Sequence, residues 1–146
     1  MIAVDTNILV YSHRRDSVFH EPAVVAIRAL AESVTAWAIP WPAVHEFLAI
    51  VTHPRIYSPP TPVPDALEQV RRWIASPSLS LIGEPGAVYF EYLAHLLEAA
   101  HSTGPRVHDA RIAAICLAHR VDELWTADRD FSRFPGLTVK NPLNTL

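Results

Sequence analysis

The stretch Ile2-Ala3-Val4-Asp5-Thr6-Asn7 opens the chain and decides the predicted fold. Its three apolar residues, two of them β-branched, predict a short buried strand. Asp5, Thr6 and Asn7 end this apolar run, although the next residues, Ile8 to Tyr11, are apolar again. A carboxylate at the end of a core strand destabilises the fold by several kcal/mol unless its charge is paired. The sequence therefore raises the question of what Asp5 faces.

Length and composition indicate one compact domain over residues 1–146. Half of the residues are apolar and 18% are charged, as in ordinary globular proteins. Cys116 is the only cysteine, which excludes an intramolecular disulfide and a cysteine-rich zinc site. The sequence has neither a secretion signal at its start nor an uninterrupted apolar run of about 18 residues. We therefore expect a cytoplasmic protein without a membrane span.

The charge balance limits the ways in which this chain could bind nucleic acid. The net charge is −3 with neutral histidines, and the basic residues are eleven arginines and one lysine, Lys140. A protein that binds RNA through charge alone is usually basic. The charge thus argues against a simple RNA-binding module, but not against an enzyme that attracts phosphate through bound metal ions.

Predicted strands and helices alternate along the rest of the chain. The predicted helices cover about Glu21–Ser33, Ala43–Val51, Asp65–Ala75, Ala87–Ala100 and Val107–His119. The later predicted strands are Thr35–Ile39, Leu79–Ile82, Glu123–Thr126 and Leu137–Val139. This alternation predicts an α/β fold whose mostly parallel central sheet is covered on both faces. Ligands of such sheets bind beyond the carboxyl ends of the strands, where Asp5 lies.

Two neighbouring segments in the first half of the chain have contrasting patterns. Ala43–Val51 is apolar on nearly all sides, which predicts a buried helix with Pro42 in its first turn. Pro54–Pro64 contains five prolines, which predict an exposed, semi-rigid loop.

Two acids occupy unusual positions on the predicted helices. Glu46 shares a helical stripe with Ala43, Ala49 and Ile50, so we expect it to have little access to water. A buried ion pair with an arginine such as Arg55 is the ordinary explanation for such an acid.

Asp109 has a similar position in the first turn of its predicted helix. It shares a stripe with Ile112, Ala113 and Cys116. Its ordinary explanation is an acid stabilised by the positive end of the helix dipole.

Asp128 and Asp130 follow the strand that ends near Thr126, so acids again lie just beyond a strand end. An aspartate-rich turn is the ordinary explanation. A calcium loop of the EF-hand type is excluded, because such a loop needs glycine and glutamate where Arg133 and Val139 stand.

Four acids from four segments are thus predicted to lie near one edge of the sheet: Asp5, Glu46, Asp109 and Asp128. Carboxylates at close range raise one another's pKa and destabilise the fold. A divalent cation removes this conflict, and oxygen ligands favour Mg²⁺ or Mn²⁺ over zinc. We therefore predict that Asp5 faces a metal ion. Arg111 and Arg129 flank the acidic segments and are the first candidates for contacts with RNA phosphates.

The motifs resemble those of the PIN-domain ribonucleases, and within them the VapC toxins of bacterial toxin–antitoxin pairs. The resemblance covers the whole chain. Its carriers are Met1-Ile2-Ala3-Val4-Asp5-Thr6-Asn7, Glu46, Val107-His108-Asp109-Ala110 and Thr126-Ala127-Asp128-Arg129-Asp130-Phe131.

This resemblance implies a three-layer α/β/α sandwich and a Mg²⁺-dependent endoribonuclease. The positions that match the family's acidic quartet are Asp5, Glu46, Asp109 and Asp128, and those that match its accessory polar positions are Thr6, Asn7, Thr126 and Asp130. The resemblance also implies a homodimer that a cognate VapB-type antitoxin neutralises by blocking the site.

Three other functions remain as alternatives at this point. A receiver-like phosphoacceptor domain also has an acidic Mg²⁺ pocket, but it needs an aspartate after the third strand and a late lysine. A zinc hydrolase is suggested by the eight histidines, yet His45-Glu46 lacks the second histidine of H-E-x-x-H, since position 49 is alanine. A PIN-like fold kept only as an inactive interaction module would gain stability by losing its acids.

Overall fold

The computed structural model describes residues 1–144, which form a five-stranded sheet and six α-helices. The strands are β1 (Ile2–Val4), β2 (Trp37–Pro40), β3 (Leu79–Ile82), β4 (Glu123–Trp125) and β5 (Val139–Lys140). They lie in the order β3-β2-β1-β4-β5, and each neighbouring pair is parallel. The predicted mostly parallel sheet is thus confirmed. This order differs from the 2-1-3-4-5 order of receiver domains and argues against that alternative.

Helices cover both faces of the sheet. The helices are α1 (Thr6–His13), α2 (His20–Glu32), α3 (Trp41–Val51), α4 (Val63–Ile74), α5 (Ala87–Ala99) and α6 (Arg106–Ala118). A short 3₁₀ helix, Arg129–Arg133, follows β4. Side chains of successive strand residues point to opposite faces. Accordingly Val4 and Ile39 pack in a core with α1 to α4, whereas Ala3 and Ala38 pack in a second core with α5 and α6. These two cores confirm the three-layer fold.

Small side chains bring α6 close to the sheet. The alanines of β1 and β2 lie in the same core as Ala110, Ala113 and Ala114 of α6, and all five are fully buried. Because close-packed alanines allow a short separation between layers, the first turn of α6 reaches the edge where β1 ends.

Helix α1 was not predicted from the sequence. Asp5 begins it as the N-cap, with its carboxylate accepting a hydrogen bond from the backbone N–H of Thr6. The helical pattern was hidden because Ile8, Leu9 and Val10 are all buried, so apolar residues follow one another without a 3.6-residue period. Asp5 therefore both ends a strand and begins a helix.

Two other sequence expectations need correction. The last strand is Val139–Lys140 rather than Leu137–Val139, and its pairing with β4 joins Leu124 to Val139. Helix α3 buries Val44 and Phe47. It is not buried on all sides, because Trp41, His45, Glu46 and Ala49 are exposed. Its position at the carboxyl edge of the sheet leaves one side open to solvent.

The proline-rich segment is largely exposed, as predicted, and is fastened to the end of α1. The guanidinium of Arg14 donates to the Thr61 hydroxyl at 3.2 Å and to the Pro59 carbonyl at 3.1 Å. It also lies 4.1 Å from the ring centroid of Tyr57. These contacts give the segment a defined position over the end of α1.

Candidate active site

Asp5 lies at the carboxyl end of β1, which pairs with β2 on one side and with β4 on the other. This is the point where the strand order reverses and where ligands of open parallel sheets bind. The side chain is only 4% exposed. Burial raises the pKa of Asp5 to about 7, and the carboxylates of Glu46 and Asp109 add to this increase. Its carboxyl group is therefore held among other acids and away from water.

Hydrogen bonds fix Asp5 to the end of β4. The Thr126 hydroxyl donates to Asp5 Oδ2 at 2.8 Å and accepts from the Asn7 amide at 3.0 Å and the Asp128 backbone N–H at 3.1 Å. Asn7 in turn accepts from the backbone N–H of Ala127 at 3.0 Å and donates to Asp5 Oδ2 at 3.4 Å. Asn7 and Thr126 therefore hold Asp5 and Asp128 at fixed positions, and both were identified from the sequence.

Glu46 projects from α3 and is exposed, which contradicts the expectation that it has little access to water. The reason is that α3 starts at the sheet edge, so the stripe with Ala49 faces solvent. Its carboxylate accepts a 2.6 Å hydrogen bond from the Thr6 hydroxyl. No arginine of residues 1–144 forms an ion pair with it, so the ordinary explanation through Arg55 is wrong.

Asp109 lies in the first turn of α6 and is partly buried. Burial raises the pKa of its carboxyl group, and the carboxylates of Asp128, Glu46 and Asp130 raise it further, against a smaller opposite effect of His108. A helix N-terminus acting alone would lower this pKa. Burial and the surrounding acids therefore both disfavour the charged form of Asp109.

Asp128 is the N-cap of the 3₁₀ helix after β4, and its Oδ1 accepts from the backbone N–H of Asp130 at 2.9 Å. The ordinary explanation of an aspartate-rich turn is thus correct for one of its two oxygens. Asp130 lies 3.8 Å from the guanidinium of Arg133, one turn ahead, in an exposed pair. Such a pair contributes little to stability.

The four acids remain without ion-pair partners in the described part of the chain. Unpaired carboxylates fit a divalent cation in charge, and their oxygens fit Mg²⁺ or Mn²⁺ in chemistry. Their positions are nevertheless not those of a formed site, because no three His, Cys, Asp or Glu side chains among residues 1–144 are placed to hold one ion together. Glu46 is exposed, and its carboxylate is held by the Thr6 hydroxyl.

The two candidate RNA-contacting arginines line two different pockets, each of which includes one of these acids. Arg129 and Asp128 line a pocket of about 290 Å³ that also includes Asn141. Arg111 and Glu46 line a second pocket of about 240 Å³. Arg111 is paired with Glu84, so part of its charge is already neutralised.

Some residues at this edge were not identified from the sequence. Trp41 is exposed at the start of α3, and its ring lies near-parallel to that of His45, with centroids 6.2 Å apart. A position directly after a strand end identified Asp5 from the sequence. The same signal could have identified Trp41, since it directly follows the last residue of β2. Cys116 lies in the core near Asp5, and burial raises the pKa of its thiol to about 12. That thiol is therefore unreactive near neutral pH.

A family model described as PIN domain matches residues 2–137. The chain belongs to the PIN-domain family. Ribonuclease VapC43 of Mycobacterium tuberculosis is 31% identical to this PIN domain over 144 residues, covering 99% of this chain and 97% of the relative. The sequence resemblance to PIN-domain ribonucleases of the VapC type is thereby confirmed.

Solved structures have the same fold. The VapBC2 complex of Rickettsia felis, bound to a DNA fragment from its promoter, matches this PIN domain with a TM-score of 0.70, 22% identity and coverage of 97% and 98% of the two chains. VapC20 of Mycobacterium tuberculosis, described as a sarcin–ricin loop cleaving toxin, matches with a TM-score of 0.66, 14% identity and coverage of 90% and 93%. In this PIN domain, no helix among the residues described has the length and apolar character needed to cross a bilayer.

Proposed function

We propose that this protein is a Mg²⁺-dependent endoribonuclease that hydrolyses RNA phosphodiester bonds and is neutralised by a VapB-type antitoxin. The observation that carries the proposal is the group of four acids at the sheet edge: the buried Asp5 and the partly buried Asp109 have raised pKa values, and none of the four has an ion-pair partner within residues 1–144. Such an arrangement costs stability, which argues against an inactive interaction module. The similarity to Ribonuclease VapC43 supports the same reaction.

The residues that would hold the ion are Asp5, Glu46, Asp109 and Asp128. Mg²⁺, for which Mn²⁺ can substitute, would supply an activated water and charge neutralisation at the phosphate. The residues of the chain would position the acids and the RNA phosphates.

Thr126 and Asn7 keep Asp5 and Asp128 in place, and the Thr6 hydroxyl holds one oxygen of Glu46. Arg129 shares a pocket with Asp128, and Arg111 shares one with Glu46. Both arginines are suited to contact the phosphates that flank the cleaved bond.

The test is cleavage of purified structured and unstructured RNAs with Mg²⁺, with EDTA, and with Mg²⁺ restored after EDTA. We expect cleavage to stop in EDTA and to return with Mg²⁺ or Mn²⁺. Asp109→Asn should abolish it, whereas Glu91→Gln, which changes an exposed acid of α5, should not. Because VapC20 is described as cleaving the sarcin–ricin loop, a ribosomal RNA fragment carrying that loop belongs in the panel.

Cleavage that persists in EDTA would exclude the metal, and a wild-type protein that cleaves no RNA in the panel would contradict the nuclease. The partner proposal is tested by adding the cognate VapB-type protein, which should inhibit cleavage at equimolar amounts. Sedimentation of the free protein tests the expected homodimer.

A further inference from the structure

Trp41 is a large aromatic residue left partly open to solvent beside the acids. It is 42% exposed, whereas Trp37 is fully buried and Trp73 is 6% exposed. The residue lies at the carboxyl edge of the sheet because it is the first residue of α3, directly after β2. Single exposed apolar side chains are common in soluble proteins, so exposure alone carries no argument. Its surroundings are what distinguish Trp41.

The pocket next to Trp41 contains one of the four acids. Its lining residues are Pro42, His45, Glu46, His108 and Arg111. The volume, about 240 Å³, is below the roughly 300 Å³ at which pockets for drug-sized ligands begin, and suits one planar group rather than two. A group that occupied this pocket would lie directly beside Glu46.

The Trp41 indole adjoins this pocket through His45. The His45 ring lines the pocket and faces the Trp41 indole at an interplanar angle of 28°. Imidazole nitrogens of His45 and His108 and the guanidinium of Arg111 can hydrogen-bond to heteroatoms of a planar ligand. Aromatic faces with hydrogen-bonding groups at their edges are the features that bind unpaired nucleobases.

The wall behind Trp41 is fixed by contacts with β3 and α6. The indole Cδ1 lies 3.6 Å from the position a Cβ on Gly83 would take, so the ring lies close to the backbone that follows β3. The Gly83 carbonyl is bonded to a ring nitrogen of His119 at 2.8 Å, and Glu84 is paired with Arg111. A platform that is already ordered loses little entropy when a ligand stacks on it.

We propose that Trp41 stacks with an unpaired base of the RNA, next to the phosphodiester bond positioned at the acids, with Arg111 near the edge of that base. This inference rests on the proposed ribonuclease function and adds to it a base-contacting residue outside the acidic group. A base held in a duplex cannot present its face to the indole.

The test separates base stacking from phosphate contacts and from cleavage. Binding is measured in EDTA with single-stranded dodecamers of uridine and of adenosine and with an abasic dodecamer of the same length and charge. The variants are Trp41→Ala and Trp41→Phe, and the matched control is Phe19→Ala, which removes another aromatic residue of similar exposure, 44%. Sedimentation records the oligomeric state of each variant.

We expect Trp41→Ala to weaken binding of both base-containing dodecamers by about tenfold or more, since base–aromatic stacking contributes about 1–3 kcal/mol per base. Trp41→Phe should keep part of the affinity, and Phe19→Ala all of it. The abasic dodecamer should bind equally well to wild type and Trp41→Ala. Wild-type tryptophan emission should be quenched by the base-containing dodecamers and much less in Trp41→Phe.

Three results would overturn the inference: an unchanged affinity of Trp41→Ala for the base-containing dodecamers, an equal loss for the abasic one, or a loss explained by a changed oligomeric state. The last would assign Trp41 to an interface between copies of the chain. The wild-type cleavage assay with Mg²⁺ tests the nuclease separately from these binding measurements. Wild-type cleavage with no effect of Trp41→Ala on binding would therefore reject the base platform while leaving the nuclease intact.

Discussion

The two halves of the acidic site are built differently. In the half formed by β1 and β4, Asp5 and Asp128 are held by Thr126 and Asn7, and the Thr126 hydroxyl makes three hydrogen bonds. In the half formed by α3 and α6, the exposed Glu46 carboxylate has one hydrogen bond from a side chain. We call the first half, Asp5 and Asp128, the floor, because it is fixed when the strands pair. We call the second half, Glu46 and Asp109, the rim, because its side chains are held loosely.

This difference explains why the acids lie near one another without forming a finished metal site. The floor is positioned by folding, because its bonds join residues at the ends of paired strands. Helices α3 and α6 place the rim carboxylates near the floor, but we expect a bound ligand to set their final side-chain rotamers. We therefore expect substitutions in the floor to change stability strongly and substitutions in the rim to change it little, although both should abolish cleavage.

The largest effect is expected for Asp5→Asn. The folded-state pKa of Asp5 is raised to about 7, so the wild type loses stability as the pH rises from about 4 to about 7 and recovers none of it above that range. The full shift corresponds to about 4 kcal/mol. Asparagine loses the oxygen that accepts from the Thr126 hydroxyl and, more weakly at 3.4 Å, from the Asn7 amide. This loss is about 1–3 kcal/mol, which is less than the gain.

Urea unfolding in EDTA should thus show Asp5→Asn to be more stable than wild type at pH 8 and less stable near pH 4, where Asp5 no longer destabilises the wild type and only the lost hydrogen bonding remains. Cleavage should fall more than about 100-fold, since even an outer partner of a metal ligand is worth about 10–100-fold. Asp65→Asn, an exposed acid of α4, is the matched control and should change neither quantity. A loss of more than about 2 kcal/mol in Asp5→Asn at pH 8 would instead indicate a structural ion pair.

An intermediate effect is expected from removing one hydroxyl in each half. Thr126→Val leaves the Asn7 amide and the Asp128 N–H without their acceptor and should lower the free energy of unfolding by about 2–3 kcal/mol. Thr6→Val removes a single bond, to an exposed carboxylate, and should lower it by about 1 kcal/mol. Equal losses in the two variants, measured by urea unfolding at pH 7, would remove the distinction between floor and rim.

The smallest effect on stability is expected for Glu46→Gln. Because Glu46 is exposed and has no ion pair within residues 1–144, the substitution should change the free energy of unfolding by no more than about 0.5 kcal/mol. Cleavage should be lost nonetheless, and Mg²⁺ should raise the melting temperature less than in wild type. A large loss of stability in the absence of metal would show that Glu46 belongs to the floor.

The sequence predicted the parallel sheet because its strands are short and apolar and alternate with helices. It also predicted that Asp5, Asp109 and Asp128 reach one edge, since strand ends and helix starts in such folds lie there. It failed for α1, where consecutive buried residues leave no helical period, and for the exposure of Glu46. Exposure on α3 depends on what packs against the helix, and a stripe of apolar neighbours does not reveal that.

The bond between Thr126 and Asp5 joins residues separated by 121 positions. Protein synthesis releases Asp5 first and Thr126 only when most of the chain has left the ribosome. Until β4 emerges, the first aspartate has no partner to fix it and no neighbouring Asp128. A nascent chain thus lacks the complete acidic group until the last part of the sheet has formed, at the end of translation.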